Sequence, residues 1–302
     1  MQNIIYKPKI LFYTETKWAL GRIHKDLKEY LSEYFDITIY DWSITKPGYS
    51  NVFSNYDLVI TTSNIATDIC NGNDLFNEKL LKDNIVGVVH SELELEWVSP
   101  KNFDNVKDLL FIHDKDINKA KNKTINKNNM LWTPTGVNTN DFEFKQKTRL
   151  EKIGFIGNES TLFSRHGTDV KNKKLLKDIF ENINDVELVY SGVNKDLNEM
   201  SEFYNSVDAL IITSKLEAGP LGAFESGYCG TPIFTTKVGN AQYIKNAIFF
   251  NSKESAIDRI NEYKNNSEKF SLLSYNIHNE IANYWTYDNL KYEWVKAIYK
   301  IL

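Results

Sequence analysis

Short apolar runs alternate with segments of helical spacing along most of the chain. The runs are rich in β-branched and aromatic residues, which is typical of strands. After the first run, Ile23, Leu27, Leu31 and Tyr34 recur at spacings of four and three and share one helical face. The alternation predicts an α/β fold with parallel sheets. The predicted strands are Ile10–Tyr13, Ile37–Tyr40, Leu58–Thr61, Ile85–His90, Leu109–His113, Ile153–Gly157, Glu187–Ser191, Ala209–Ser214 and Ile233–Thr235.

The alternation is interrupted near the middle of the chain. Residues 131–142 contain Pro, Gly and several Asn and Thr residues, a charged stretch follows at 145–152, and the strand pattern restarts at Ile153. A chain of 302 residues is long enough for two domains, because single cores stop growing at roughly 250 residues. We expect domains at 1–142 and 143–285. Ligands of open α/β sheets lie at the carboxyl ends of strands, so two such domains facing each other would form one cleft.

A helical stripe closes the sequence, over about 286–302. Asp288 is the predicted N-cap of this helix. The stripe consists of Leu290, Trp294, Ile298 and Leu302.

Composition narrows the class of protein. The formal net charge of −4 gives no general attraction for nucleic acid or anionic membranes. The two cysteines, Cys70 and Cys229, fall in different halves, so we expect a reducing compartment and no disulfide framework. Neither the first nine residues nor any later segment has the apolar length of a signal core or a membrane span. These features predict a cytoplasmic protein.

The most informative segment is Ser214–Pro232, which reads SKLEAGPLGAFESGYCGTP. It follows a predicted strand, Pro220 suits a helix start, and Gly230 with Pro232 suits a helix end. We therefore expect a helix over about 221–229.

Two glutamates flank the start of this predicted helix. Glu217 lies in the loop, Glu225 lies inside the helix, and seven residues separate them. A helix amino end attracts a diphosphate through its free N–H groups and its dipole. A carboxylate beside a diphosphate suits hydroxyl groups, and a nucleotide sugar offers hydroxyls on both sides of its diphosphate. The segment thus predicts nucleotide-sugar binding.

The same segment resembles the E-x7-E motif of retaining glycosyltransferases of family 4, including the Gly-Thr-Pro that follows. Residues 135–138 resemble the Asn-Gly-Val-Asp linker signature of that family, and residues 236–239 resemble a later loop. The resemblance implies a GT-B fold, two Rossmann-like domains facing each other across a cleft, with the terminal helix packing back on the first domain. It also implies a metal-independent glycosyltransferase (EC 2.4) without a cofactor, using a UDP- or GDP-sugar donor.

Site residues follow from the resemblance at matching positions. Glu217 would contact the transferred sugar near its 3- and 4-hydroxyls, and Glu225 would bind the ribose. The family places cations on the diphosphate in a Gly-Arg and later Arg-Lys-Gly pattern, where this chain has Asn158 and then Arg165-His166-Gly167. Arg165 keeps a suitable charge, whereas Asn158 and His166 replace two expected cations.

Backbone groups complete the implied diphosphate site. Pro220 replaces a glycine that would offer an N–H, so Gly219, Leu221 and Gly222 would line the site instead.

In the N-terminal half, the resemblance assigns Gly21 to a loop near the donor phosphates and His90 to the transferred sugar. Asp114 and Asp116 imitate a DxD metal motif, but acidic residues are common at helix starts, and we interpret them as caps. The five histidines show no metal-ligand spacing, so no metal site is expected.

The sequence does not identify the acceptor molecule. The family favours a carbohydrate, lipid-linked or protein hydroxyl in surface glycan synthesis, with peripheral contact at the inner membrane face allowed. Three alternatives remain: a sugar transferase acting on modified DNA, a non-catalytic GT-B protein that binds a nucleotide sugar, and a phosphorylase or epimerase on the same fold.

Overall fold

The computed structural model describes residues 6–16, 19–43, 52–71, 83–125, 127–157, 164–165, 168–192 and 195–302. The chain divides into two compact units. Unit 1 comprises Met1–Thr135 together with Leu290–Leu302, and unit 2 comprises Gly136–Asn289.

Unit 1 is built on a parallel sheet of six strands with helices between them. The strands are β1 (Lys9–Thr14), β2 (Asp36–Asp41), β3 (Leu58–Thr62), β4 (Ile85–Val89), β5 (Asp108–Phe111) and β6 (Met130–Trp132). The helices are α1 (Ala19–Leu31), α2 (Ser63–Asn71), α3 (Glu94–Trp97) and α4 (Lys115–Asn122), with a 3₁₀ helix at Pro100–Asn105. The strand order is β2-β1-β3-β4-β5-β6. Residues 10–13 of β1 are fully buried, as expected where helices cover both faces of a parallel sheet.

Unit 2 repeats the architecture with five strands. Its strands are β7 (Lys152–Phe155), β10 (Glu187–Tyr190), β11 (Ala209–Ile212), β12 (Ile233–Thr235) and β13 (Ile248–Phe249), and a small hairpin is formed by β8 (Ser164–Arg165) and β9 (Thr168–Asp169). Its helices are α5 (Lys173–Phe180), α6 (Leu197–Ser206), α7 (Leu221–Tyr228), α8 (Lys253–Lys264) and α9 (Ser267–Tyr284), with 3₁₀ helices at Thr139–Asp141 and Gly239–Tyr243. The five-stranded sheet is parallel, in the order β10-β7-β11-β12-β13.

Among the described strands, the two of the β8–β9 hairpin and the sheet strands β6 and β13 are absent from the sequence prediction. β6 overlaps the start of the segment predicted as a linker, and β13 has only two residues. Both are edge strands, too short for a periodic pattern, and they exist because a neighbouring strand supplies hydrogen bonds. Some predicted strands run one or two residues too far, since Leu109–His113 is observed as Asp108–Phe111, whereas β1 and β2 extend one residue beyond the prediction at each end.

The last helix, α10 (Tyr287–Ile301), buries most of the predicted stripe. Leu290, Trp294 and Ile298 are buried, and Trp294 donates from Nε1 to the carbonyl of Pro134 at 2.9 Å within unit 1. The helix begins at Tyr287, so the prediction of Asp288 as the N-cap is wrong, and Leu302 is 44% exposed because it follows the last helical residue. In the described part of the chain, no helix has the length and apolar character to cross a bilayer.

Helix α1 packs on β1 through the face predicted from its spacing. Ile23, Leu27 and Leu31 are buried, whereas Tyr34 lies in the turn after the helix and is half-buried. His24 is on the buried side as well, with no exposed surface, and its ring stacks on Phe12 with a centroid distance of 4.6 Å. Burial lowers the pKa of His24 to about 3.

This burial predicts acid sensitivity. Unfolded histidine has a pKa near 6.5, so between about pH 6.5 and pH 3 the unfolded chain binds a proton that folded His24 does not. The contribution of His24 to the free energy of unfolding is therefore fully present above pH 6.5, and it is lost as the pH falls from about 6.5 to 3. The loss from this group between pH 7 and pH 4.5 is about 2.5 kcal/mol.

Urea unfolding of the wild type and His24→Leu at both pH values measures this contribution. We expect the variant to lose about 2.5 kcal/mol less than the wild type on acidification. Equal losses in the two proteins would show that His24 does not contribute to the loss of stability in acid.

Candidate functional site

The amino end of α7 lies against the end of strand β7. The helix begins at Leu221, directly after Pro220, and ends at Tyr228, close to the predicted 221–229. A Cβ atom at Gly222 would lie 2.0 Å from Ile156 Cδ1, so a larger residue would displace Ile156. The first N–H groups of a helix have no partner within it, and here they belong to residues at the carboxyl end of the unit 2 sheet, the usual ligand edge of such folds.

Glu217 lies in the loop between β11 and α7, as predicted. Its Oε1 accepts from Lys171 Nζ at 2.5 Å and from Ser214 Oγ at 3.0 Å, and its side chain is 19% exposed. The backbone of Lys171 is held in place as well, because Thr213 Oγ1 donates to the Lys171 carbonyl at 2.7 Å. This carboxylate is therefore preorganised and still reaches solvent.

Gly239 holds the backbone next to Glu217. It has a φ of +45°, and a Cβ atom there would lie 2.6 Å from the carbonyl oxygen of Glu217 and 2.2 Å from that of Ala218. The N–H of Asn240 also donates to the Ala218 carbonyl at 2.6 Å. The loop after β12 thus needs a glycine in order to pack against the loop that carries Glu217.

Glu225 differs from Glu217 in its surroundings. It lies in the second turn of α7, is only 4% exposed, and accepts from Tyr204 Oη at 2.6 Å through Oε2. The structure therefore places one partly exposed carboxylate in the loop before α7 and one buried carboxylate in its second turn.

Lys171 contacts the candidate site through Glu217 and was not identified from the sequence motifs. It precedes Asn172, whose backbone is left-handed (φ 53°, ψ 50°), a conformation in which glycine and asparagine are common. No local pattern in the sequence identifies Lys171, because its bond to Glu217 joins residues 46 positions apart.

The other expected diphosphate ligands are only partly covered by the structure. Asn158 and His166 lie outside the described residues. Arg165 pairs with Thr168 through its backbone in the β8–β9 hairpin, but its side chain lies outside the described part. Gly219 lies in the loop before α7 and is half-buried.

In unit 1, His90 directly follows β4. Its backbone N–H donates to Glu94 Oε1 at 3.3 Å. Glu94 is only 6% exposed and also accepts from Ser63 Oγ. The His24 ring lies edge-on to the His90 ring at 6.5 Å. Burial, with a smaller contribution from His24, lowers the pKa of His90 to about 3, so this imidazole is neutral at physiological pH.

Gly21 lies in the first turn of α1 and not in the loop to which the resemblance assigned it, and it contacts that preceding loop. A Cβ atom there would lie 2.3 Å from both the Glu15 carbonyl oxygen and Thr16 Cα. Asp41 Oδ2 holds the same loop by accepting from the Thr16 N–H at 3.0 Å. Only glycine lets the loop approach the helix this closely.

The acidic pair after β5 is a helix cap, as expected. The Asp114 side chain accepts from the N–H of Lys115 at the start of α4, and Asp116 contacts His113 and Lys119. Among the described residues, no group of three His, Cys, Asp or Glu side chains could hold a metal ion.

Comparison with known proteins gives one family match. Residues 147–279 match the family model of glycosyl transferases group 1. No curated protein matches the chain in sequence.

Solved structures resemble the whole chain at low identity. HepE from Anabaena, determined with UDP and glucose, is 12% identical over 96% of this chain and 99% of that chain, with a TM-score of 0.68. Sucrose-phosphate synthase from Thermosynechococcus elongatus is 10% identical over 98% and 99%, with a TM-score of 0.68. An α-glucosyltransferase determined with UDP and a 13-mer DNA containing a HMU base is 11% identical over 97% and 100%, with a TM-score of 0.62.

These similarities confirm the predicted fold class of two parallel-sheet, Rossmann-like units. The chain has the GT-B fold of glycosyltransferases, and residues 147–279, which include Glu217 and Glu225, match glycosyl transferases group 1.

Proposed function

We propose that the protein is a retaining glycosyltransferase of the family 4 type, which transfers a sugar from a nucleoside diphosphate sugar to a hydroxyl acceptor. The observation that best supports this proposal is the position of the two glutamates, with Glu217 fixed in the loop before α7 and Glu225 fixed in its second turn. The group 1 match over residues 147–279 supports it.

In this proposal the donor diphosphate binds at the start of α7. The N–H groups of Leu221 and Gly222 and the loop at Gly219 face its oxygens, and the helix dipole favours negative charge there. Lys171 supplies a cation on the same loop edge, since its Nζ lies 2.5 Å from Glu217. Arg165, Asn158 and His166 are proposed as the remaining diphosphate contacts.

The two carboxylates then divide the hydroxyl groups of the donor. Glu217 binds hydroxyls of the transferred sugar and Glu225 binds the ribose. His90 is proposed to contact the sugar as a neutral imidazole, and Gly21 is proposed to keep the loop before α1 close to the donor.

Retention follows from attack by the acceptor hydroxyl on the face from which the nucleoside diphosphate leaves. The C–O bond to the leaving phosphate breaks as the new glycosidic bond forms, and the departing phosphate oxygen takes the acceptor proton. The protein accelerates this step by stabilising charge on the diphosphate and by positioning the sugar. We propose that no metal or cofactor takes part.

UDP-sugars are the first donors to test, because HepE was determined with UDP, and GDP-sugars come next. The proposed acceptor is a carbohydrate, lipid-linked or protein hydroxyl in surface glycan synthesis. We propose a cytoplasmic location for the enzyme, with peripheral membrane contact if the acceptor is lipid-linked.

Modified DNA is a second candidate acceptor. The observation in its favour is the similarity to the α-glucosyltransferase determined with HMU-containing DNA. The net charge of −4 disfavours a polyanionic acceptor. Transfer of radiolabelled sugar to hydroxymethylated DNA, compared with transfer to glycan or lipid acceptors, separates the two candidates.

The proposed function is tested by calorimetric binding of UDP-, GDP- and ADP-sugars, together with release of the nucleoside diphosphate. We expect one base to bind best and the sugar to be transferred or slowly hydrolysed. Binding without turnover on any acceptor would favour the non-catalytic alternative, and absence of binding to all donors would overturn the proposal.

Glu217→Gln tests the sugar contact. The amide keeps the size of the side chain but loses the charge-assisted hydrogen bonds, so kcat/KM should fall about 100-fold. Steady-state kinetics with the best donor measures this. Glu181→Gln, at the exposed end of α5 where Glu181 pairs with Lys177, is the matched control and should behave as wild type.

Lys171→Met tests the proposed phosphate cation. The variant keeps the aliphatic stem and removes the charge, so the KM for the donor should rise and kcat/KM should fall about 100-fold. Lys177→Met removes an exposed lysine from the next helix as the control. If Lys171→Met changes only the melting temperature, the lysine serves the loop structure alone.

A further inference from the structure

A series of buried, hydrogen-bonded residues in unit 2 leads from Lys147 through Tyr204 to Glu225. It starts with Lys147, which is only 6% exposed and whose Nζ donates to the carbonyls of Asn205 at 2.8 Å and Tyr204 at 3.3 Å. These carbonyls belong to the last turn of α6, where a positive charge is favourable. Burial lowers the pKa of this lysine.

Tyr204 is the middle member and is held firmly. It is fully buried, its ring packs against Phe142 at a centroid distance of 6.0 Å, and its carbonyl also accepts from Thr231 Oγ1 at 2.8 Å. The direction of its hydroxyl is therefore set by packing on the ring and by hydrogen bonds to the backbone.

The Tyr204 hydroxyl lies between two parts of the candidate site. It donates to Glu225 Oε2 at 2.6 Å, and a Cβ atom at Gly222 in the first turn of α7 would lie 3.3 Å from it. A buried carboxylate needs hydrogen-bond donors in place of water, and such a bond also fixes its rotamer. Tyr204 supplies such a donor.

We propose that Tyr204 is a positioning residue, which orients the Glu225 carboxylate toward the ribose hydroxyls and so sets the preference for ribonucleotide donors. This rests on the proposed function, in which Glu225 binds ribose. Without the phenol hydroxyl, Glu225 loses the bond that aims its carboxylate, and the ribose loses its acceptor. The phosphates and base keep their own contacts, so only the affinity that depends on ribose hydroxyls should fall.

The test compares dissociation constants for UDP and 2′,3′-dideoxy-UDP, measured by calorimetry. The wild type should bind UDP at least about tenfold more tightly, since hydrogen bonds to a charged group are lost with the dideoxy compound. In Tyr204→Phe, the dissociation constant for UDP should rise about tenfold, and that for the dideoxy compound should stay nearly unchanged. Tyr263→Phe, which removes a hydroxyl from helix α8, is the control and should match the wild type.

A double-mutant cycle with Glu225→Gln distinguishes positioning from general stability. If Tyr204 acts through Glu225, adding Tyr204→Phe to Glu225→Gln should raise the dissociation constant for UDP by less than about twofold. Circular dichroism confirms that each variant is folded. Tyr204→Met, a flexible side chain without a hydroxyl, repeats the test if the phenylalanine variant does not fold.

The outcomes separate this inference from the proposed function. A wild type that binds none of the UDP, GDP and ADP nucleotides contradicts both. A wild type that prefers UDP over its dideoxy form, with the same preference in Tyr204→Phe, contradicts the role of Tyr204 alone. Equal weakening of both ligands would show a structural effect without ribose selectivity.

Discussion

The close approach of α7 to the unit 2 sheet is the constraint on which the candidate site depends. A Cβ atom at Gly222 would displace the end of the Ile156 side chain, so the glycine lets the first helical turn lie directly at the carboxyl edge of the strands. The loop before it carries Glu217 and the second turn carries Glu225. The start of α7, where the first N–H groups of a helix have no partner within it, thus follows one carboxylate and precedes the other along the chain, an arrangement suited to an anion with hydroxyl groups on either side.

The two carboxylates are prepared in different ways. Glu217 is partly exposed and paired with Lys171, so its charge is balanced before any ligand arrives. Glu225 is buried and depends on Tyr204, whose position depends in turn on Lys147 and Phe142. Because buried polar groups must be hydrogen-bonded, side chains far apart in sequence contribute to the geometry of one residue.

Much of the fold follows from local pattern. Buried parallel strands are short apolar runs, and α1 buries Ile23, Leu27 and Leu31 because their spacing places them on one face. The start of α7 after Pro220, and its end before Gly230 with a φ of +81°, obey local backbone preferences. The edge strands β6 and β13 could not be found this way, because their pairing is made by neighbouring strands rather than by their own residues.

The sequence by itself determined the α/β class, the helix after Pro220, the cap at Asp114 and the seven-residue spacing of Glu217 and Glu225, since each depends on residues close in the chain. Only the tertiary structure decided that Lys171 pairs with Glu217, that Tyr204 bonds to Glu225, and that Gly239 and Gly21 lie against neighbouring backbone. Those contacts join segments from separate strands and loops. Their distances depend on how the whole sheet and its helices pack, which no local pattern encodes.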